Sequence, residues 1–453
     1  MSEQTNPSKS SNQGIAGEMA RYLQAYLETG YFMGSVLVAR GSEILLSQGY
    51  GMANLEHNAP NAPHSKFCIG SVTKQFTATA ILQLQQQGLL DVNQAISTYL
   101  PDYPKGEQIT VHHLLNHTAG IYNYTDALEN PYLKVTLDEV IAWFRDKPLE
   151  FTPGERFKYC NSGYVLLTKI IETVSGQSYA DYLRNQLFEP LGMIDSGYEQ
   201  RELILPHRVS GYTITENGFQ NAAFWDQSQG AGAGAMYSTT EDLYKWERSF
   251  YTNAMLSETS KNAMFAPTIM ADLSGSKGYY GYGWYIDNHC GRDRHVHAGG
   301  FSGFRAIIAR YPSEQLVVIA LSNITGVSIE LIAKDLAAIV FGEPYELPRQ
   351  RRPIELAFNS TVYDAYVGEY KLEPGLVATV TTQSKRFFIQ VTGQKQVEMF
   401  PESSSEFFVK IADVRITFLF DGMDQRHRLI IHRNGIDTVA TRVDRLAPSI
   451  SVN

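Results

Sequence analysis

The chain of 453 residues is 43% hydrophobic and 19% charged, an ordinary globular balance with room for two or three domains. A formal net charge of −9 removes the electrostatic case for a nucleic-acid partner. No apolar run reaches the length needed to span a membrane.

The polar start, residues 1–14, lacks the hydrophobic core of a secretory signal and reads as disordered. With only three cysteines (Cys68, Cys160, Cys290), it points to a reducing, cytoplasmic setting. The sequons at Asn116, Asn123, Asn323 and Asn359 then carry no weight. Ile15, Met19, Tyr22, Leu23, Tyr26 and Leu27 predict an amphipathic helix over 15–29. Two apolar runs around Arg40-Gly41-Ser42-Glu43 read as a hairpin. A helix follows from Gly70-Ser71-Val72-Thr73-Lys74, with Phe76, Ile81, Leu82 and Leu84 apolar and Gly88 as its stop. The middle of the chain is mostly helical, including a segment from about Tyr164 to Val174. Gly230-Ala231-Gly232-Ala233-Gly234 has neither the dinucleotide fingerprint nor a βαβ unit around it, which rejects a Rossmann reading. Ser238 with Glu241 three residues on reads as a capping box. His295–His297, Arg305–Ala309 and Leu316–Leu321 are strand-like and precede a helix over 328–340. They and the early hairpin fit one antiparallel sheet covered by the terminal helices. Prolines and arginines mark a linker over 342–357, and the alternating runs beyond it predict an all-β barrel or sandwich.

Three constellations carry chemistry. Ser71 and Lys74, at i and i+3, share a helix face, so hydroxyl and amine meet at the positive end of the helix dipole. A hydroxyl, an amine and free backbone N–H groups are the parts of an acyl-transfer site. The pattern alone is common, and Ser274-Gly275-Ser276-Lys277 repeats it in a loop. Tyr159-x-Asn161 adds a phenol able to relay a proton and an amide able to hold an amine, although Tyr251-x-Asn253 has the same spacing. His297-Ala298-Gly299-Gly300 suits an edge strand whose glycines admit a substrate backbone. His295 and His297 share a strand face, but without a Cys or carboxylate cluster they make a poor zinc site, so no metal or cofactor is expected. His112, His113 and His117 read as surface or satisfied core positions, and Cys160 as a small buried residue. No Gly-x-Ser-x-Gly elbow occurs.

In this order the three constellations resemble the serine β-lactamase and penicillin-binding-protein superfamily, in its branch of class C β-lactamases, D-aminopeptidases and β-lactamase-like esterases. Leu114–Gly120, Pro153-Gly154-Glu155, Ser238–Leu243 and Tyr282-Gly283-Trp284 look like that family too. The resemblance implies an α+β, β-lactamase/transpeptidase-like fold over residues 15–341: an antiparallel sheet flanked by helices, with a helical subdomain. A linker at 342–357 and a C-terminal all-β domain at 358–453, resembling a lipocalin-like barrel, would follow. Carried over residue by residue, Ser71 is the nucleophile, Lys74 its general base and Tyr159 the proton relay. Asn161 and Gly299 bind substrate, and the backbone N–H groups of Ser71 and Gly300 form the oxyanion hole. His297 completes the catalytic set, but it stands where β-lactamases have the lysine of Lys-Thr-Gly, and histidine is largely neutral near pH 7. The resemblance therefore implies a serine hydrolase of a small amide, D-aminopeptidase-like peptide or ester. A β-lactamase or DD-carboxypeptidase is the alternative, and a non-catalytic penicillin-binding-like protein the remote one. The partner would be a small-molecule or short peptide substrate, without nucleic acid or membrane. A homo-oligomer is left open.

Overall fold

Val36-Leu37-Val38-Ala39 is apolar without interruption because its strand is covered on both faces. In the computed structural model, which describes residues 12–200, 202–273, 276–350, 360–372, 375–421, 426–433 and 435–443, Leu37 and Ala39 face one core and Val36 and Val38 the other. That strand, Gly34–Arg40, lies inside an antiparallel sheet of eight. In spatial order the strands are Ile269–Leu273, Ser276–Tyr280, Tyr285–His289, Arg292–Phe301, Phe304–Tyr311, Leu316–Ser322, Gly34–Arg40 and Glu43–Tyr50. Leu37 sits opposite Ile319, which sits opposite Ile308, so the registers stack apolar residues in rows.

One face is covered by the helices Asn12–Thr29 and Ile329–Phe341 through Met19, Tyr22, Leu23, Ile332 and Leu336. The Tyr22 hydroxyl donates to Asp335 at 2.6 Å and ties the two together. Against the other face pack Thr73–Gln86 and Thr240–Ser249, where Phe76 stacks on Trp246 at 4.1 Å. The helix Asn161–Ser175 belongs to the same core. The sheet flanked by helices is the α+β architecture that the patterning anticipates.

Three local expectations change. The first helix begins at Asn12, so residues 12–14 are helical, while 1–11 lie outside the described residues. The cap of the helix through Trp246 is Thr239, whose side chain accepts the Asp242 N–H; Ser238 ends a strand instead. The strands from Ile269 to His289 escape the sequence reading because Gly278, Gly281 and Gly283 interrupt their alternation. Gly283 has a reason to be glycine: its φ is +74°, and a Cβ there would stand 2.8 Å from the Lys74 carbonyl oxygen.

By internal packing the chain divides into Met1–Thr213 with Gln220–Pro348, and Arg349–Asn453 with Ile214–Phe219. The second unit holds a closed antiparallel barrel of eight strands from Gly368–Lys371 to Ile436–Arg442. Tyr370, Phe387, Ile389, Phe407, Phe418 and Leu429 point inward, joined by Tyr363 of the helix Ser360–Tyr366. Phe387 and Phe407 stand 5.1 Å apart. The alternation is thus a barrel rather than a sandwich, with an aromatic core. No helix among the described residues is long and apolar enough to cross a membrane.

Candidate active site

Gly70–Val72 forms a short 3₁₀ turn that runs directly into the helix Thr73–Gln86. Lys74 is fully buried, and its Nζ lies 3.1 Å from Ser71 Oγ, 2.8 Å from Asn161 Oδ1 and 2.7 Å from the Ala233 carbonyl oxygen. Among the described residues no carboxylate joins this set. Burial drives the Lys74 pKa well below the usual lysine range, with Cys160 opposing weakly. The geometry suits the free base. A neutral amine has two N–H donors, matched by Asn161 and Ala233, and one lone pair, left facing the Ser71 hydroxyl.

The Ala233 carbonyl arrives through the glycine run. Gly232 N–H donates to Thr168 Oγ1 at 2.9 Å, and Thr77 Oγ1 donates to Gly232 O at 2.7 Å. A Cβ on Gly232 would collide with both hydroxyls, so close packing between two helices explains a glycine that no nucleotide motif explains.

Asn161 opens the helix Asn161–Ser175. Its N–H donates to Asn123 Oδ1 at 3.0 Å and its Nδ2 to Thr125 Oγ1 at 3.1 Å, which leaves Oδ1 for Lys74. Burial holds the Tyr159 phenol protonated, well above the usual tyrosine range, with Ser71 opposing. Lys74 Nζ stands 4.8 Å from the centre of the Tyr159 ring.

The strand Arg292–Phe301 closes the site. A Cβ on Gly70, whose φ is +50°, would stand 2.8 Å from Gly300 N, and one on Gly299 would stand 2.9 Å from Ser71 N and overlap Ile69 O. Glycine at both places lets the backbone of 299–300 lie against that of 69–71, bringing the Ser71 and Gly300 amides to one seam. His297 is 2% exposed. Its Nδ1–H donates to Ala298 O at 2.7 Å, and its Nε2 accepts the Tyr280 hydroxyl at 3.1 Å. Burial and the nearby Lys74 lower its pKa to about 3, so it is neutral with both nitrogens occupied.

The structure therefore assembles Ser71, Lys74, Tyr159, Asn161, His297, Gly299 and Gly300. The competing Tyr251 packs on Arg310 at 5.0 Å, and the Ser274 pattern lies outside the described residues. His295 stacks on Phe265 at 4.5 Å. The sequence reading missed Asn123, Thr125, Ala233, Tyr280 and His117. The glycine run was the signal for Ala233 and the Leu114–Gly120 stretch the signal for His117; Asn123, Thr125 and Tyr280 show no local pattern.

Beside this centre is a cavity of about 740 Å³ whose wall includes Cys68, Trp225, Gln227, Ala231, Phe301 and Phe304. Phe301 follows Gly300 in the strand, and its ring lies 5.2 Å from that of Trp225.

The strand bearing His297 and the glycines is fourth of eight in the sheet rather than the edge strand its sequence suggested, because Tyr285–His289 and Phe304–Tyr311 flank it. A serine–lysine pair at the head of a buried helix, under a glycine-bearing strand of an antiparallel sheet, defines a class of serine hydrolases. The β-lactamase family profile matches residues 19–340, and a second profile, a domain of unknown function (DUF3471), matches 353–445. Penicillin-binding protein 4* of Bacillus subtilis (strain 168) is 30% identical over 93% of this chain and 98% of its own length. The octameric penicillin-binding protein homologue from Pyrococcus abyssi superposes with a TM-score of 0.68 at 26% identity, covering 94% of this chain and 99% of its own. D-amino acid amidase from Ochrobactrum anthropi SV3 shares the fold, with a TM-score of 0.65 at 24% identity over 73% of this chain and 97% of its own. The chain belongs to the β-lactamase family of serine hydrolases.

Proposed function

We propose that residues 15–341 form a hydrolase domain that cleaves a small amide, peptide or ester through an acyl-enzyme on Ser71. Lys74, fully buried with its Nζ 3.1 Å from Ser71 Oγ and its pKa lowered by that burial, is the observation that carries this reading. Lys74 takes the hydroxyl proton as Ser71 Oγ attacks the carbonyl carbon. The Ser71 and Gly300 amides hold the developing oxyanion, and Tyr159 returns a proton to the leaving group. Water then releases the acyl group by the same path in reverse.

His297 supports a substrate without a carboxylate at that place, because a buried neutral imidazole supplies no cation. The cavity beyond Gly300, with Trp225, Phe301 and Phe304 on one wall and charged groups such as Lys66, Glu199 and Arg208 elsewhere in its lining, supports a bulky acyl portion. The decisive experiment is hydrolysis of p-nitrophenyl esters and aminoacyl p-nitroanilides by wild type and Ser71→Ala. The expected result is loss of turnover, with a fluorophosphonate label mapped to Ser71; retained turnover sinks the reading.

The Bacillus subtilis relative, aligned over nearly its whole length, favours penicillin binding as a second reading. Intact-mass measurement after benzylpenicillin decides between a persistent adduct and none. The octameric relative supports assembly of several copies, which light scattering measures.

A further inference from the structure

Sequence patterning places His117 among unremarkable core positions, and the structure gives it too many contacts for that. It is 2% exposed, yet its φ is +61°, the left-handed region that non-glycine residues avoid at a cost of about 1 kcal/mol or more. A residue held there is held by its surroundings. Those surroundings are the second catalytic constellation. The His117 carbonyl accepts the Lys158 N–H at 3.0 Å, and its Nδ1 accepts the Cys160 N–H at 3.1 Å. Its ring lies 4.3 Å from that of Tyr159, tilted 37°. It therefore grips Tyr159 from the residue before, the residue after and the ring face, and Cys160 is also the residue that precedes Asn161 at the head of its helix.

The grip continues along the turn. Thr118 O accepts the Gly154 N–H at 2.8 Å, and Gly120 O accepts the Glu150 N–H at 2.7 Å. This laces Leu114–Gly120 to the segment that delivers Tyr159 and Asn161. An acceptor at Nδ1 places the ring hydrogen on Nε2, and that nitrogen has no hydrogen-bond partner among the described residues. A core histidine kept for stability alone satisfies both nitrogens; here one is left unpaired and the backbone is strained, while the contact to Cys160 is kept.

We propose that His117 is a positioning residue: its Nδ1 and ring face set the place of the Tyr159 hydroxyl and the Asn161 amide against Ser71 and Lys74. This rests on the acyl-enzyme reading above. His117 touches no reacting atom, and it acts through the Cys160 amide and the Tyr159 ring. The acceptor must sit at the Nδ1 position.

The test compares His117→Asn with His117→Gln in the full chain. Asparagine puts its Oδ1 where Nδ1 stands and tolerates a left-handed φ, whereas glutamine puts its acceptor at the Nε2 position. Ester hydrolysis is measured per active site, titrated with a fluorophosphonate, with circular dichroism and Tm recorded for each protein. For His117→Gln the expected kcat is about 30-fold lower with KM within about 3-fold, and for His117→Asn the expected kcat lies within about 5-fold of wild type. A glutamine variant as active as the asparagine variant overturns the proposal, as does a loss confined to Tm. Should the glutamine variant fail to fold, His117→Leu serves in its place under the same expectation. Failure of wild type to label at Ser71 brings down the acyl-enzyme reading and this one with it. Labelled wild type with an indifferent His117 brings down only this one.

Discussion

The Ala233 carbonyl oxygen lies 2.7 Å from Lys74 Nζ, held there by a glycine wedged between two threonine hydroxyls. Gly232→Ala is expected to displace that carbonyl, because the added Cβ would stand 2.8 Å from Thr77 Oγ1 and closer still to Thr168 Oγ1. The expected loss in kcat is about 100-fold, with a lower Tm, measured on the same activated ester. Unchanged kcat would detach Ala233 from the lysine's chemistry.

The two glycines after Ala298 differ in what they face. A Cβ on Gly299 would overlap Ile69 O, while one on Gly300 would meet only the end of the Arg305 side chain, at 3.1 Å. Gly299→Ala is expected to cost about 100-fold or more in kcat/KM, and Gly300→Ala less than about 5-fold. Equal losses would mean that the seam between 299–300 and 69–71 is not what shapes the site.

The pH profile follows from Lys74. Its folded pKa is depressed, so the free base dominates above that value and kcat/KM for a neutral ester falls about tenfold per unit below it. His297, near 3, and His117, also lowered, add no limb around neutrality, and the raised Tyr159 adds none on the basic side. The expected curve has a single acidic limb and a plateau. A second limb falling below pH 9 would contradict the assignment.

Trp225 and Phe301 form the aromatic wall of the cavity next to Gly300. With Trp225→Ala, kcat/KM for a p-nitrophenyl phenylacetate is expected to fall about 10-fold while the acetate stays within about 2-fold. Parallel losses would place the acyl group elsewhere.

Asp335 supplies a stability test remote from catalysis. Burial raises its pKa to about 7, and Tyr22 donates to it at 2.6 Å. Because the folded value exceeds the unfolded one, the folded state holds the proton more tightly. Asp335 therefore favours folding at low pH, and that contribution is lost as pH rises through about 7. Asp335→Asn is expected to raise Tm by about 2 °C at pH 8.5 and to leave it unchanged near pH 4. A variant whose difference from wild type is the same at both pH values would refute the linkage.

The recognisable part of the site consisted of residues whose chemistry depends on short spacing. Ser71 and Lys74 share a helix face at i and i+3, Tyr159 and Asn161 flank one residue, and Gly299 follows His297 by two on a strand; such geometry is local and survives in one dimension. The two apolar runs around Arg40-Gly41-Ser42-Glu43 likewise announce the hairpin that the structure forms. The parts that escaped were those made by contact. Ala233 reaches Lys74 only because Gly232 packs between two helices. Asn123 looked like an idle sequon until it met the Asn161 amide. Tyr280 sat in a glycine-broken run that concealed its strand.

The sequence by itself thus determined the reactive groups and the secondary structure that spaces them, because hydrogen-bonding period and side-chain chemistry are local properties. Only the tertiary structure decided their states. Burial lowers the Lys74 pKa well below the usual lysine range, and burial beside Lys74 lowers that of His297 to about 3. Desolvation and hydrogen-bond partnership depend on what the folded chain brings alongside, and no spacing in the sequence contains that.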